Sequence, residues 1–314
     1  MKKGKKKLSQ ILRVRKQLAP KVIPHGDVFF EGRTGNRLYI PKDGGVPEEY
    51  VITPGGFRPK SDVHTIPATH KISCKPKAIV VQDEEGKTVL TIRKSRSHRL
   101  FVPSPRDGWQ ADVSWFNSAP TPVTLFTTSW TVPNEPMNKN SGQVIYLFNS
   151  IENPSTTDIL QPVLQWSNTD PQCQGWSVSS WWIPPDSDVA LKTKPVPVQV
   201  GQTVTGVIEL VSLSNGQASY SCEFDGIPGT KRIVSPGQGL DIPVWCAVTL
   251  ESHQASVRDV YPGDPDTLMS NINIKSGSDY VDLTWIPETP NGSTQQVSII
   301  DGSANGGSLE FIYG

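Results

Sequence analysis

The chain has 314 residues, with 30 Lys or Arg against 30 Asp or Glu and a formal net charge of zero. That balance is uneven: residues 1–21 hold nine bases and no acid, which leaves 21 bases against 30 acids, a net of −9, in residues 22–314. No apolar run approaches the roughly 18–20 residues of a membrane helix, and the four cysteines form no C-x-x-C pair and have no His at metal-site spacing, so the sequence calls for no membrane span, no zinc site and no cofactor.

Residues 1–21 read as a mobile basic tail. Met-Lys-Lys-Gly-Lys-Lys-Lys begins like the charged start of a leader, but Leu8-Ser-Gln-Ile-Leu-Arg-Val-Arg-Lys supplies no apolar core. The expectation is therefore a cytoplasmic or non-classically exported protein with reduced thiols. Leu8, Ile11, Leu12 and Arg15 fall at helical spacing, so a short amphipathic helix is one reading. Contact with a polyanion, nucleic acid or anionic lipid, is another.

Residues 22–118 read as a separate β-rich front section. Asp27-Val-Phe-Phe-Glu and Arg37-Leu-Tyr-Ile flank Gly32-Arg-Thr-Gly-Asn, which predicts a hairpin. Glu49-Tyr-Val-Ile-Thr runs into the turn signal Pro54-Gly55-Gly56. Lys77-Ala-Ile-Val-Val-Gln and Thr88-Val-Leu-Thr-Ile-Arg flank Asp83-Glu-Glu-Gly-Lys, a second hairpin, and the basic run Arg93-Lys-Ser-Arg-Ser-His-Arg follows. Residues 103–122, rich in Pro, Ser and Asp, read as a connection, with the boundary near Ser118.

Residues 119–314 read as strands at roughly ten-residue spacing with no helical pattern between them. That rhythm predicts an all-β fold, an antiparallel β-sandwich of two packed sheets. Five of the nine tryptophans, Trp130, Trp166, Trp176, Trp181 and Trp182, fall between Phe126 and Trp182. In Ile159–Trp166, alternation puts Leu160, Pro162, Leu164 and Trp166 on one face and Ile159, Gln161, Val163 and Gln165 on the other. In Ala218–Asp225, Cys222 faces with Tyr220 and Phe224, and Glu223 faces the opposite way. In Pro243–Glu251, Cys246 faces with Val248, and Trp245, Ala247, Thr249 and Glu251 share the other side. Cys222 and Cys246 sit in successive predicted strands, so a disulfide between them is the alternative for an exported protein.

Two glutamines on one strand face need partners and fit a polar groove. A carboxylate facing the same groove could run hydrolysis, the acid taking a proton from water and the amide holding the oxyanion. The same groups equally suit sugar hydroxyls stacked on Trp rings. The candidate ligand contacts are Trp130, Gln165, Trp181, Trp182 and Trp245, and the candidate acids are Glu251 and Glu223.

The landmarks Ser129-Trp-Thr-Val-Pro, a Tyr/Phe strand, Ile159-Leu-Gln, Trp181-Trp-Ile-Pro and Val200-Gly-Gln-Thr-Val, in that order, resemble the eqolisin (G1-type glutamic peptidase) family over about residues 119–255. The resemblance implies a concanavalin-A-like β-sandwich of two seven-stranded sheets, with a catalytic Gln and Glu in the groove of the concave sheet, acting at acid pH. By that pattern Gln161 matches the catalytic glutamine. Aligned on the family's second acid, which falls on Glu251, the catalytic glutamate position is Ala247, and Trp181 stands where the family has an acidic residue. Three readings follow. One is a groove that binds an extended glycan or polypeptide without chemistry. The second is an acid-acting endopeptidase using Gln161 with Glu251 or Glu223. The third is a structural or surface protein whose basic arm contacts nucleic acid.

Overall fold

The computed structural model describes residues 28–31, 37–40, 48–93 and 108–314, apart from 140–141, 154–157, 171, 173, 185–188, 216, 235–239, 241–243, 256 and 291–292. The basic tail with its helical spacing, the basic run after Arg93 and Cys173 lie outside the described residues.

The front section supplies β1 (Val28–Glu31), β2 (Arg37–Ile40), β3 (Tyr50–Thr53), β4 (Gly56–Pro59), β5 (Val63–Thr65), β6 (Lys71–Lys75), β7 (Ala78–Gln82), β8 (Thr88–Arg93) and β9 (Trp109–Asn117). The middle of the chain supplies β10 (Val123–Thr131), β11 (Val144–Glu152), β12 (Ile159–Ser167), β13 (Gly175–Ile183), β14 (Ala190–Lys192), β15 (Val196–Pro197), β16 (Thr203–Ser214), β17 (Gln217–Phe224), β18 (Arg232–Val234) and β19 (Val244–His253). The end supplies β20 (Thr267–Ser276), β21 (Asp279–Tyr280), β22 (Ile286–Glu288), β23 (Gln296–Asp301) and β24 (Asn305–Ile312). Two short 3-10 turns are the only helical elements among the described residues.

Twenty of these strands form two large sheets packed face to face, while β1–β2 and β3–β4 are separate two-stranded pairs. The nine-stranded sheet runs β22-β9-β19-β11-β12-β13-β14-β5, with β15 also on β13. The eleven-stranded sheet runs β23-β24-β20-β10-β16-β17-β18-β6-β7-β8, with β21 also on β20. Pairing is antiparallel except where β5 meets β14 and β6 meets β18. The alternation read from the sequence decides the faces. Leu160, Leu164 and Trp166 of β12 and Cys246 and Val248 of β19 turn into the space between the sheets, where Trp130, Trp176 and Trp182 join them. Gly206 of β16 lies close against the facing layer. A Cβ there would lie 2.6 Å from Asn149 Oδ1 and 2.8 Å from Pro162 Cγ, so only glycine fits.

Three expectations change. Residues 103–122 are not a connection throughout, because Trp109–Asn117 is β9, paired over its length with β19. Its Ala111 and Val113 face the core while Asp112 and Ser114 face away, so its polar residues are one side of an alternating strand rather than a loop signal. The boundary near Ser118 falls between β9 and β10, strands of opposite sheets of the same sandwich. Cys222 and Cys246 are free, buried and on β17 and β19, which belong to different sheets, so the disulfide alternative is not realised.

The face of the nine-stranded sheet that looks away from the sandwich interior is also buried. Tyr146, Phe148, Ile159, Val163, Trp181, Ile183 and Ala247 form a second apolar cluster there. Ile52 and Phe57 from the β3–β4 hairpin belong to it, so part of the front section lies on this face as a cover.

Candidate functional site

The register of the nine-stranded sheet arranges this outer face in transverse rows. One row reads Trp181 (β13), Gln161 (β12), then across β11 to Ala247 (β19) and Ser114 (β9), with Ser150 of β11 opposite Ala247. A second row reads Ser177, Gln165, Tyr146, Glu251 and Trp109. The two rows are four residues apart along β11, β12, β13 and β19, about 13 Å at the usual strand rise, and five apart along β9, where the register with β19 shifts. Gln161 and Glu251 therefore face the same way but are too far apart to hold one water or one carbonyl between them.

In the Gln161 row, side chains are small and polar around Ala247. Among the described residues, both amide atoms of Gln161, the hydroxyls of Ser150 and Ser114, and the Trp181 indole N–H are buried without a hydrogen-bond partner, as is the Thr249 hydroxyl two residues along β19. Gln161 itself is 1% exposed. A buried amide in this condition is costly, on the order of 1–3 kcal/mol for each unmade bond, and this row gathers several such groups on one patch.

The Glu251 row is tied to the front section. Glu251 Oε1 accepts from the Gly55 backbone N–H at 2.9 Å and lies 2.6 Å from His253 Nε2. Tyr146 donates its hydroxyl to the Ile52 carbonyl at 3.1 Å. The Phe57 ring meets His253 edge-on, with centroids 5.5 Å apart. The β3–β4 hairpin is thus fastened at its turn, at one carbonyl and by one ring. The turn that reaches Glu251 depends on Gly55 at φ +78° and Gly56 at φ +107°, left-handed values that favour glycine. Thr53 closes it by donating to the Gly56 carbonyl at 2.6 Å. Burial, reinforced by the Glu251 and Asp170 carboxylates, holds the Tyr146 phenol well above its usual range, so it remains a donor.

Gln165 donates to Asp170 Oδ2 at 3.2 Å, and Lys192 Nζ lies 3.6 Å from the same oxygen while sitting 5.0 Å over the Trp181 ring. The groove wall on the β14 side is therefore a polar cluster centred on Asp170. The remaining candidates divide. Trp245 shares the groove face but stands at its rim against Phe116, centroids 4.9 Å apart. Trp130 and Trp182 turn into the sandwich core, where Trp182 donates to Asp158 at 2.8 Å. Glu223 lies on β17 of the other sheet and pairs with Lys231 at 2.7 Å. The sequence does not single out Tyr146, Ser150 and Ser114. His253, beside Ser252, reads from the sequence as a surface histidine rather than a base, and the structure buries it. His253 continues the alternation of Trp245 to Glu251, and Asp112 and Ser114 alternate on β9. That signal was hidden by the Pro- and Ser-rich surroundings. Among the described residues no cluster of three or more His, Cys, Asp or Glu is placed to hold a metal ion.

No family model and no curated protein sequence matches the chain. Solved structures similar to it include a scytalido-glutamic peptidase with a peptide-based transition-state analogue, at 11% identity, covering 66% of this chain and 98% of that one with a TM-score of 0.41. Another is SCP-B, a member of the eqolisin family of peptidases, in complex with the tripeptide Ala-Ile-His, at 11% identity, the same coverages and a TM-score of 0.40. A third is the alginate lyase from Klebsiella pneumoniae, at 12% identity, covering 55% of this chain and 61% of that one with a TM-score of 0.31. Likeness at these scores carries no weight for what this chain does, and its own geometry has to. The two sheets of this chain, of eleven and nine strands, also differ in size from the seven-stranded pair that the sequence resemblance implies.

Proposed function

We propose that the outer face of the nine-stranded sheet is a groove for extended polypeptide, that it works by binding and not by hydrolysis, and that its own β3–β4 hairpin occupies one end of it. The observation that carries this reading is the seating of Tyr50–Pro59. A stretch of polypeptide already lies on the face, with a main-chain N–H given to Glu251, a main-chain carbonyl receiving Tyr146, and Ile52 and Phe57 buried. The contacts are those a peptide makes, which favours polypeptide over glycan as the occupant.

Catalysis is disfavoured by position. Ala247 occupies the place in the Gln161 row where the resemblance puts a catalytic acid, Glu251 is four residues further along β19 and committed to His253 and Gly55, and Glu223 is on the other sheet. A general base must reach the proton it takes, and none of these does so beside Gln161.

The test compares wild type with Phe57→Asp, which puts a charge into the hairpin's buried contact. Both proteins, checked for folding by circular dichroism, are assayed on immobilised reduced casein and on alginate across pH 2–7. Casein binding that appears or strengthens several-fold in Phe57→Asp, without cleavage, supports the reading. Binding to alginate alone turns the ligand class to glycan. Cleavage at acid pH that is lost on Gln161→Ala would establish the peptidase instead. A folded Phe57→Asp that binds neither polymer sinks the groove.

A further inference from the structure

At the far end of the eleven-stranded sheet, β6, β7 and β8 form an antiparallel meander whose apolar side, Ile72, Ile79 and Val81, closes the sandwich core. Its other side faces out, and the register fixes who stands there. Lys75 pairs with Ala78 and Ala78 with Arg93, so Lys75 and Arg93 flank a small residue on one outward row. The next row is Ser73, Val80 and Thr91. Lys77, in the turn between β6 and β7, sits at the same end as Lys75 and Arg93, and all three cations are exposed. None of them makes an ion pair or a side-chain hydrogen bond with a described residue.

The acids of this region are segregated. Asp83, Glu84 and Glu85 form the turn between β7 and β8, and Asp83 is spent there, accepting the Lys87 N–H at 2.8 Å. That turn is five residues along β7 from Ala78, roughly 16 Å away, beyond the Debye length at physiological salt. Residues 22–314 carry a net charge of −9, yet among the described residues this corner presents three cations without an ion-pair partner and no acid. A strand end that gathers like charges pays repulsion for it unless an anion comes to the face.

We infer that the Lys75, Lys77 and Arg93 corner of the β6–β8 meander is a contact site for the phosphodiester backbone of a nucleic acid. The chemistry that recognises a phosphate is present: two ammonium groups and one guanidinium fork, with the Ser73 and Thr91 hydroxyls on the neighbouring row. Among the described residues the corner is sheet with no helix to enter a groove, so binding there is independent of base sequence. A lipid surface fits less well, because the residues between the cations are Ala78, Val80, Ser73 and Thr91, with no large apolar side chain to enter a bilayer. The site shares no residue with the groove and lies on the other large sheet. It does not depend on the groove reading.

The experiment uses the full chain and a fluorescein-labelled 20-nucleotide single-stranded RNA, with anisotropy measured from 50 to 200 mM salt. The variant Lys75→Gln/Lys77→Gln/Arg93→Gln is compared with the control Lys60→Gln/Lys87→Gln/Lys194→Gln, which removes three exposed cations elsewhere. Thermal midpoints of both stay at the wild-type value. The expected result is a log–log salt slope shallower by about 2 in the patch variant, from roughly 0.7 released counterion per phosphate contact on a single strand, with the control slope close to wild type. An equal change in both variants means that net charge alone binds RNA and overturns the site, as does an unchanged slope in the patch variant or no RNA binding by wild type at 50 mM salt. Loss of binding to phosphatidylserine vesicles, with RNA binding intact, assigns the corner to membranes and overturns it as well.

Discussion

Gln161 carries a polar side chain for which the described residues offer no hydrogen-bond partner, and that condition makes a prediction of opposite signs for stability and binding. Gln161→Met keeps the shape and removes both unpartnered amide atoms, so it is expected to raise the unfolding free energy by about 1–2 kcal/mol. Urea unfolding reads this directly, and a loss of stability would mean that the amide is held by partners on the face. In the Phe57→Asp background the same substitution should weaken casein binding several-fold, because stability gained at a binding residue commonly comes out of function. A second residue-scale prediction concerns alkaline pH. Burial pushes the Cys222 thiol up to about 12 and the Tyr261 phenol up to about 12, against hydrogen bonds from Ser180 and Ser252 that act the other way. Both groups keep their protons longer in the folded chain than in the unfolded one. Their contribution is complete below about pH 9, the unfolded thiol value, and is lost as pH rises toward 12. The urea midpoint should fall between pH 8 and pH 10.5, and Cys222→Ala should flatten part of that fall. A midpoint that is level over this range contradicts it.

The β3–β4 hairpin and β9 act together as elements, because the residue before β9 sets how the hairpin is held. Gly108 has φ +91°, and a Cβ there would stand 2.4 Å from the His253 ring, the ring that lies against Glu251 and Phe57. Gly108→Ala is expected to cost at least about 2 kcal/mol, from left-handed strain with the clash added, and to displace His253. Limited proteolysis should then cut between residues 50 and 59 in the variant and not in wild type, with the far-ultraviolet spectrum unchanged. If the variant is no more easily cut there, the hairpin is not held through His253. At this scale the sequence is informative about faces and silent about neighbours. Alternation puts Gln161 with Gln165 on β12 and Ala247 with Glu251 on β19, because side-chain period is local, and the pairing through β11 brings both pairs to one face. Pro54-Gly55-Gly56 was readable as a turn for the same reason. What alternation does not contain is the register between strands. The four-residue offset that separates Gln161 from Glu251 comes from how β11 pairs with β12 and β19. The docking of the hairpin on Glu251 joins residues 196 positions apart. The sequence offers Trp130 and Trp182 to the groove, and the structure turns them into the core, because an aromatic on a strand looks the same from either face until its neighbours are known.

At the scale of the molecule, the front section and the sandwich share their sheets. β5 lies on β14, β6 on β18 and β9 on β19, so strands before residue 118 extend both layers, and β9 covers one flank of the strand that carries Ala247 and Glu251. Arg232 ties the same regions from within. Buried on β18, it donates to the carbonyls of Ile66, Pro67 and Lys192, joining the β5–β6 segment to β14. Removing residues 1–118 would expose Ile72's and Ile79's contacts in the core, leave the Arg232 guanidinium without two of its three acceptors, and open the β19 edge along its whole length. A buried charge left without acceptors and an unpaired central strand are each strongly unfavourable. The fragment 119–314 is therefore expected not to fold on its own, and the full chain to unfold in one transition, with tryptophan fluorescence and alkylation of the buried Cys222 and Cys246 moving together. Two separated transitions, or a fragment 119–314 that is monomeric with a cooperative melt, would instead make the front section a domain in its own right, with the hairpin over Glu251 as a detachable partner of the groove.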